Sequence, residues 1–155
     1  MKIVIETIPH EKQRYPTAGD WYYTTEPVDP NLPDGMSGPM RNVLNIRVSE
    51  LSGWKKEMLV ALHELVEVLA CKHAGVTQES VDAFDIEYEK QRAEKLADTS
   101  ISEADRALIA IDEPGDDPAA PYVKQHCLAT GVERLMAAAL DVNWHDYELE
   151  IEALP

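Results

Sequence analysis

The sequence predicts an α+β fold, a small N-terminal antiparallel β-sheet packed on a bundle of about four helices. Three observations carry this. The first fifty residues are rich in β-branched and aromatic residues and partly alternate between apolar and polar. From Trp54 onward, apolar residues recur at helical spacing. Proline and glycine punctuate the segments between. The 155 residues suffice for one domain, 1–155, with a sizeable core. No repeat, low-complexity tract or composition break divides them.

"KIVIETI" (Lys2 to Ile8) reads as a first strand and "DWYYTT" (Asp20 to Thr25) as a second, with Trp21, Tyr22 and Tyr23 expected in the core, the alternatives being a ligand wall or a dimer contact. "EPVDPNLPDGMSGPM" holds four of the ten prolines and two glycines, which predicts an irregular connection. In "NVLNIRVSE", Leu44, Ile46 and Val48 fall on one face and Asn45 and Arg47 on the other, the pattern of a half-buried strand. A helix follows from about Trp54 to His73, with Ser52 as N-cap and Gly75 as terminator. A second helix starts near Thr77 or Ser80, and a third lies in "SEADRALIAI", where Ser102 and Asp105 form a capping pair. Asp117 and Pro118 predict the start of a helix over 119–140. The tail "VNWHDYELEIEAL" has the pattern of a last short helix, and Gly131 could admit a close helix approach.

The formal charge is −15, which opposes direct binding of nucleic-acid phosphates. No apolar run is long enough for a membrane span, and "MKIVIETIPHEK" is too short and acidic for a secretion signal. Cys71 and Cys127 lie in apolar helical contexts and are expected to be reduced, buried thiols. Together these predict a cytoplasmic protein.

The segment "MLVALHELVEVLAC" (Met58 to Cys71) has eleven apolar residues among fourteen. Met58, Leu62, Leu65, Val68 and Leu69 form one broad face, extended by Leu59, Val66 and Ala70. The exceptions, His63, Glu64 and Glu67, fall in one arc, and the i, i+4 spacing of His63 and Glu67 points both at one spot. The plain alternative makes this arc, with Lys56, the solvent stripe of an amphipathic helix. The motif "HELVE" resembles the HExxH helix of the zincin metallopeptidases, with glutamate in place of the second histidine, and the strand before it matches the zincin strand–helix order. That resemblance implies His63 and Glu67 as metal ligands and Glu64 as the base activating a metal-bound water. It also implies zinc first among divalent metals. The additional carboxylate suits iron or manganese too.

A third ligand could come from two places. In "VDAFDIEYEK" the apolar face is Val81, Phe84 and Tyr88, and Asp85 lies against it with Asp82 and Glu89 at its edge. Asp85 is the preferred candidate there; the alternative is an aspartate bonded to a tyrosine or arginine. In "PYVKQHCLATGVERLMAAAL", Leu128, Val132, Met136 and Ala139 make the apolar face. His126 and Glu133 lie along one edge of it, beside Tyr122. His126 is the second candidate ligand and Glu133 a secondary one. "IDEPGDDPAAPY" leads into His126 and could cover the site, although Asp112, Glu113, Asp116 and Asp117 read first as turn and capping residues.

The expected function is therefore a metal-dependent hydrolase acting on a peptide or other small acyl substrate. A second reading rests on "ELVE" followed by "DAFD", which resembles the ExxE…ExxD signature of the all-α MazG-like nucleoside triphosphate pyrophosphohydrolases. It implies magnesium on Glu64, Glu67, Asp82 and Asp85. "HELVE", "VDAFD", "EPGDDPAAPYVKQH" and "WHDYE" together resemble small bacteriophage and prophage proteins of unassigned function, which implies the host cytoplasm as setting. A third reading, a non-enzymatic acidic protein that binds a host protein, rests on the charge.

Overall fold

The computed structural model describes residues 1–29, 31 and 38–154. Among the described residues it is an α+β protein with three strands, β1 (Lys2–Ile8), β2 (Gly19–Pro27) and β3 (Met40–Ser49), followed by five helices. These are α1 (Trp54–Ala74), α2 (Gln78–Ala97), α3 (Glu103–Ile111), α4 (Val123–Ala139) and α5 (Trp144–Glu152). The fifth is the tail segment, capped by the Asn143 side chain, which accepts from the N–H groups of His145 and Asp146.

The sheet is mixed rather than wholly antiparallel. Its order is β1-β3-β2, with β2 antiparallel and β1 parallel to β3. The chain reverses after β1 through a short turn at His10–Lys12, and β2 takes the far edge. It then reverses again, so β3 enters between them running the same way as β1. Of the irregular segment expected at 26–40, residues 30 and 32–37 lie outside the described residues. At its ends, Val28 N–H donates to Pro39 O at 2.9 Å.

Alternation in β3 works as the sequence predicts. Leu44, Ile46 and Val48 are fully buried against α1, while Asn45 and Arg47 face the other way. Each such apolar side chain contributes roughly 1.5–3 kcal/mol by leaving water. Trp21 joins this core; Tyr22 and Tyr23 are only half-buried. Leu59, Val60, Val68 and Cys71 bring α1 onto the sheet, and α1 packs on its other side along α4.

Local signals at helix ends also hold. Gly75 ends α1 in the left-handed conformation at φ 76°, where a Cβ would be strained. Thr77 caps α2 and Ser102 caps α3 through the Asp105 N–H. Two caps differ. Gly53, not Ser52, precedes α1, and the Ser52 hydroxyl and N–H both donate to Glu150 of α5. Asp117 caps only the turn at Ala119, and α4 starts later, at Val123. Among the described residues, no helix is long and apolar enough to cross a membrane.

Candidate metal centre

The faces of α1 and α4 depart from the simple apolar pattern. On α1, Met58 and Leu69 are exposed, while Glu67 is only 5% accessible. On α4, Leu128 and Met136 are exposed, while His126 and Glu133 are 7% and 6% accessible. The two polar arcs face each other inside the protein, so the solvent-stripe alternative for His63 and Glu67 does not hold. Gly131, expected at a close approach, is exposed and has nothing within 4 Å of where a Cβ would stand.

Buried polar groups are costly unless paired, and here each has partners. His63 Nδ1 faces Glu133 Oε2 at 2.9 Å, and its Nε2 faces the cluster. That Nε2 lies 3.2 Å from His126 Nδ1 and 3.6 Å from Glu67 Oε2. His126 Nδ1 lies 3.0 Å from the same Glu67 oxygen. Glu67 Oε1 accepts the Trp21 indole N–H at 3.0 Å, and Glu133 Oε1 accepts the Tyr147 hydroxyl. Thus β2, α1, α4 and α5 all hold the cluster in place.

The electrostatics match. Burial alone would disfavour charge on His63, but Glu133 and Glu67 outweigh it and push its pKa up to about 11. Burial likewise opposes charge on Glu67, yet the bonds from His126 and His63 bring it down to about 2. Two buried carboxylates, Glu67 and Glu133, therefore bracket His63 and favour its positively charged form. Glu64, half-buried in the adjoining cavity, shifts the other way: burial, then the charge of Glu67, raises its pKa well above the usual carboxylate range.

The cavity has a volume of about 350 Å³ and is lined by His63, Glu64, Glu67, His126, Glu133 and Tyr122, among others. Gly19 of β2 and Gly115 let backbone approach closely. A Cβ on Gly19 would collide with the Glu64 side chain and Val60, and one on Gly115 with the His126 ring.

Of the residues singled out from the sequence, the structure brings His63, Glu67 and His126 together, with ligand atoms within 4.8 Å of one another. Glu133 orients His63 from behind. Asp85 lines the same cavity but stands apart from the cluster: its Oδ1 accepts the Tyr122 hydroxyl at 2.5 Å. Asp82 accepts from Gln78 at 3.2 Å and faces Arg14 at 3.5 Å, and Glu89 pairs with Arg92 at 2.7 Å. Trp21, expected in the core, is buried there and also donates to Glu67, whereas sequence patterns missed Tyr147 and the glycines at 19 and 115. Nothing in their local sequence marks them, because their partners lie on other elements. Glu113 and Asp116, expected as turn residues, flank His126 Nε2 at 3.7 and 3.6 Å. Compared with protein-family models, curated proteins and solved structures, the chain matches none.

Proposed function

We propose that the chain is a metal-dependent hydrolase whose divalent ion is held by His63, Glu67 and His126. The observation that carries this reading is the spacing of three ligand atoms. His63 Nε2, Glu67 Oε2 and His126 Nδ1 stand 3.0, 3.2 and 3.6 Å apart. Ligand atoms about 2.0–2.1 Å from a tetrahedral zinc are about 3.3 Å from each other. Two imidazoles and one carboxylate form a set used by hydrolytic zinc, and zinc is the first expectation. The same set suits iron, and manganese or magnesium would also accept the carboxylate.

When bound by His63, Glu67 and His126, the metal would supply Lewis acidity toward a water and a substrate carbonyl. His63 is fixed in the ligating tautomer by Glu133, the outer carboxylate typical of metal-bound histidines. Glu64, at the cavity wall, takes a proton from water and passes it to the leaving group. The substrate is a peptide or another small acyl compound that fits the cavity. The resemblance of "HELVE" to the zincin helix supports the assignment of Glu64 as the base. Two free cysteines, Cys71 and Cys127, and the acidic composition fit a cytoplasmic setting, the host's if the chain is phage-encoded.

The pyrophosphohydrolase reading has one observation in its favour: Glu64, Glu67, Asp82 and Asp85 line one cavity. It leaves the two histidines without a role and does not use the sheet. A non-enzymatic host-binding role rests on charge alone.

Metal analysis of protein purified without chelator tests the proposal. Stoichiometric zinc, iron or manganese is expected, lost in His63→Ala. Glu64→Gln should keep the ion and lose hydrolysis of a peptide and ester panel. An ion-free protein that releases pyrophosphate from dNTPs with magnesium would favour the second reading and overturn the first.

A further inference from the structure

His126 has one nitrogen in the cluster and one outside it. Nδ1 faces Glu67 and His63, while Nε2 points the opposite way, between Glu113 Oε2 and Asp116 Oδ1 at 3.7 and 3.6 Å. Both separations exceed hydrogen-bonding distance. The side chain is only 9% accessible, so this nitrogen belongs to a ring nine-tenths buried and has no hydrogen-bond partner among the described residues. The two carboxylates are open to solvent, at 49% and 63% side-chain accessibility. The three ligand atoms lie within 4.8 Å of one another.

The chain goes to some length to produce this arrangement. Pro114–Asp116 form a single tight turn, and the buried Gly115 lies flat against the imidazole, where a Cβ would overlap it. Glu113, just before this turn, and Asp116, at its end, both stand near Nε2. Two atoms about 3.6 Å apart can share an ion at about 2.1 Å from each, with an angle near 120° at the metal.

We infer that His126 Nε2, Glu113 and Asp116 hold a second divalent cation, joined to the first through the imidazole ring of His126. The inference rests on the metal reading of His63, Glu67 and His126. When both nitrogens coordinate, the proton of Nε2 leaves to bulk water and the ring bridges as imidazolate. The second ion lies at the solvent side of the cavity and has open positions for water or an anionic group of the substrate. The site then handles substrates with two oxygens to bind, one on each ion.

The test is metal stoichiometry in the full chain. Metal-free protein is loaded with Zn(II), dialysed and counted by native mass spectrometry, for wild type and for Glu113→Gln/Asp116→Asn. Both altered side chains are solvent-facing, so the variant should fold, which circular dichroism checks. Two ions in wild type and one in the variant are expected. Cu(II) provides a second readout: a magnetically coupled pair in wild type and an isolated Cu(II) spectrum in the variant. One ion in both proteins overturns the second site and leaves the first standing. Two ions in both place the second ion elsewhere and also overturn it. No ion in either overturns the first site, and this one with it.

Discussion

His63 Nδ1 and Glu133 Oε2 lie 2.9 Å apart, a contact that ties α1 to α4 at the centre of the protein. The Tyr147 hydroxyl holds the other oxygen of Glu133, so the carboxylate cannot rotate freely. Glu133→Gln should retain the fold but weaken metal binding by about 10–100-fold, as loss of outer-shell carboxylates does. An amide that still accepts from Tyr147 turns its NH₂ toward His63. Nδ1 must then accept, and the proton moves to Nε2, where it blocks ligation. Competition against a chelator of known affinity measures this, and an affinity within twofold of wild type would refute the orienting role.

The two thiols should differ sharply in reactivity. Cys71 is fully buried, and burial, followed by the charges of Glu67 and Glu64, pushes its pKa up to about 12. Cys127, expected in the core, is exposed on the outer face of α4. One thiol per chain should react with an aromatic disulfide reagent at pH 8, and the second only in denaturant. Two fast-reacting thiols would mean that α1 does not pack on β3 as described.

How much of this was legible in the sequence depends on the range of the interaction. The alternation of Leu44, Ile46 and Val48, the stop at Gly75 and the caps at Thr77 and Ser102 are local, and each predicts its element. The parallel pairing of β1 with β3 is set by where β2 goes, which no local pattern states. The site divides in the same way. The i, i+4 geometry of His63 and Glu67 is local, and the structure confirms that they converge. The burial of that arc is not local, since α1 alone would bury Met58 and Leu69. His126 and Glu133 of α4, with Trp21 of β2, supply the partners that make a buried polar face tolerable. The exposed Leu128 and Met136 of α4 follow from the same pairing. Asp85 resembled a ligand because a carboxylate beside an apolar face needs a partner; its partner is the Tyr122 hydroxyl.

Two glycines make opposite predictions. At Gly19 an added Cβ would collide with Glu64 and with Val60, which is buried. Gly19→Ala should cost about 1–3 kcal/mol, the usual penalty of overpacking, and displace Glu64 while metal content stays unchanged. At Gly131 the space is open and the residue sits inside α4. Gly131→Ala should stabilise the protein by about 0.5–1 kcal/mol, because glycine is costly within a helix. Urea unfolding of both variants decides the matter, and equal effects of the same sign would contradict the described packing around Gly19.

Asp85 provides a pH signature from a carboxylate that stands apart from the three proposed ligands. Burial raises its pKa from 3.8 to about 6; the Tyr122 hydrogen bond offsets part of this, and the charges of Glu67, Asp82 and Glu89 add to it. The folded state therefore binds this proton more tightly than the unfolded chain does. The associated stabilisation is complete below about pH 4 and disappears as pH rises through about 6. Above that, wild type carries a buried charge that Asp85→Asn lacks, while asparagine can still accept from Tyr122. The variant should match wild type near pH 4 and exceed it near pH 7.5 by about 1 kcal/mol, less than the full shift implies because solvent reaches part of the group. Metal content should stay the same throughout. If Asp85→Asn instead lost the ion, Asp85 would be a ligand, and the three-residue centre of His63, Glu67 and His126 would be incomplete.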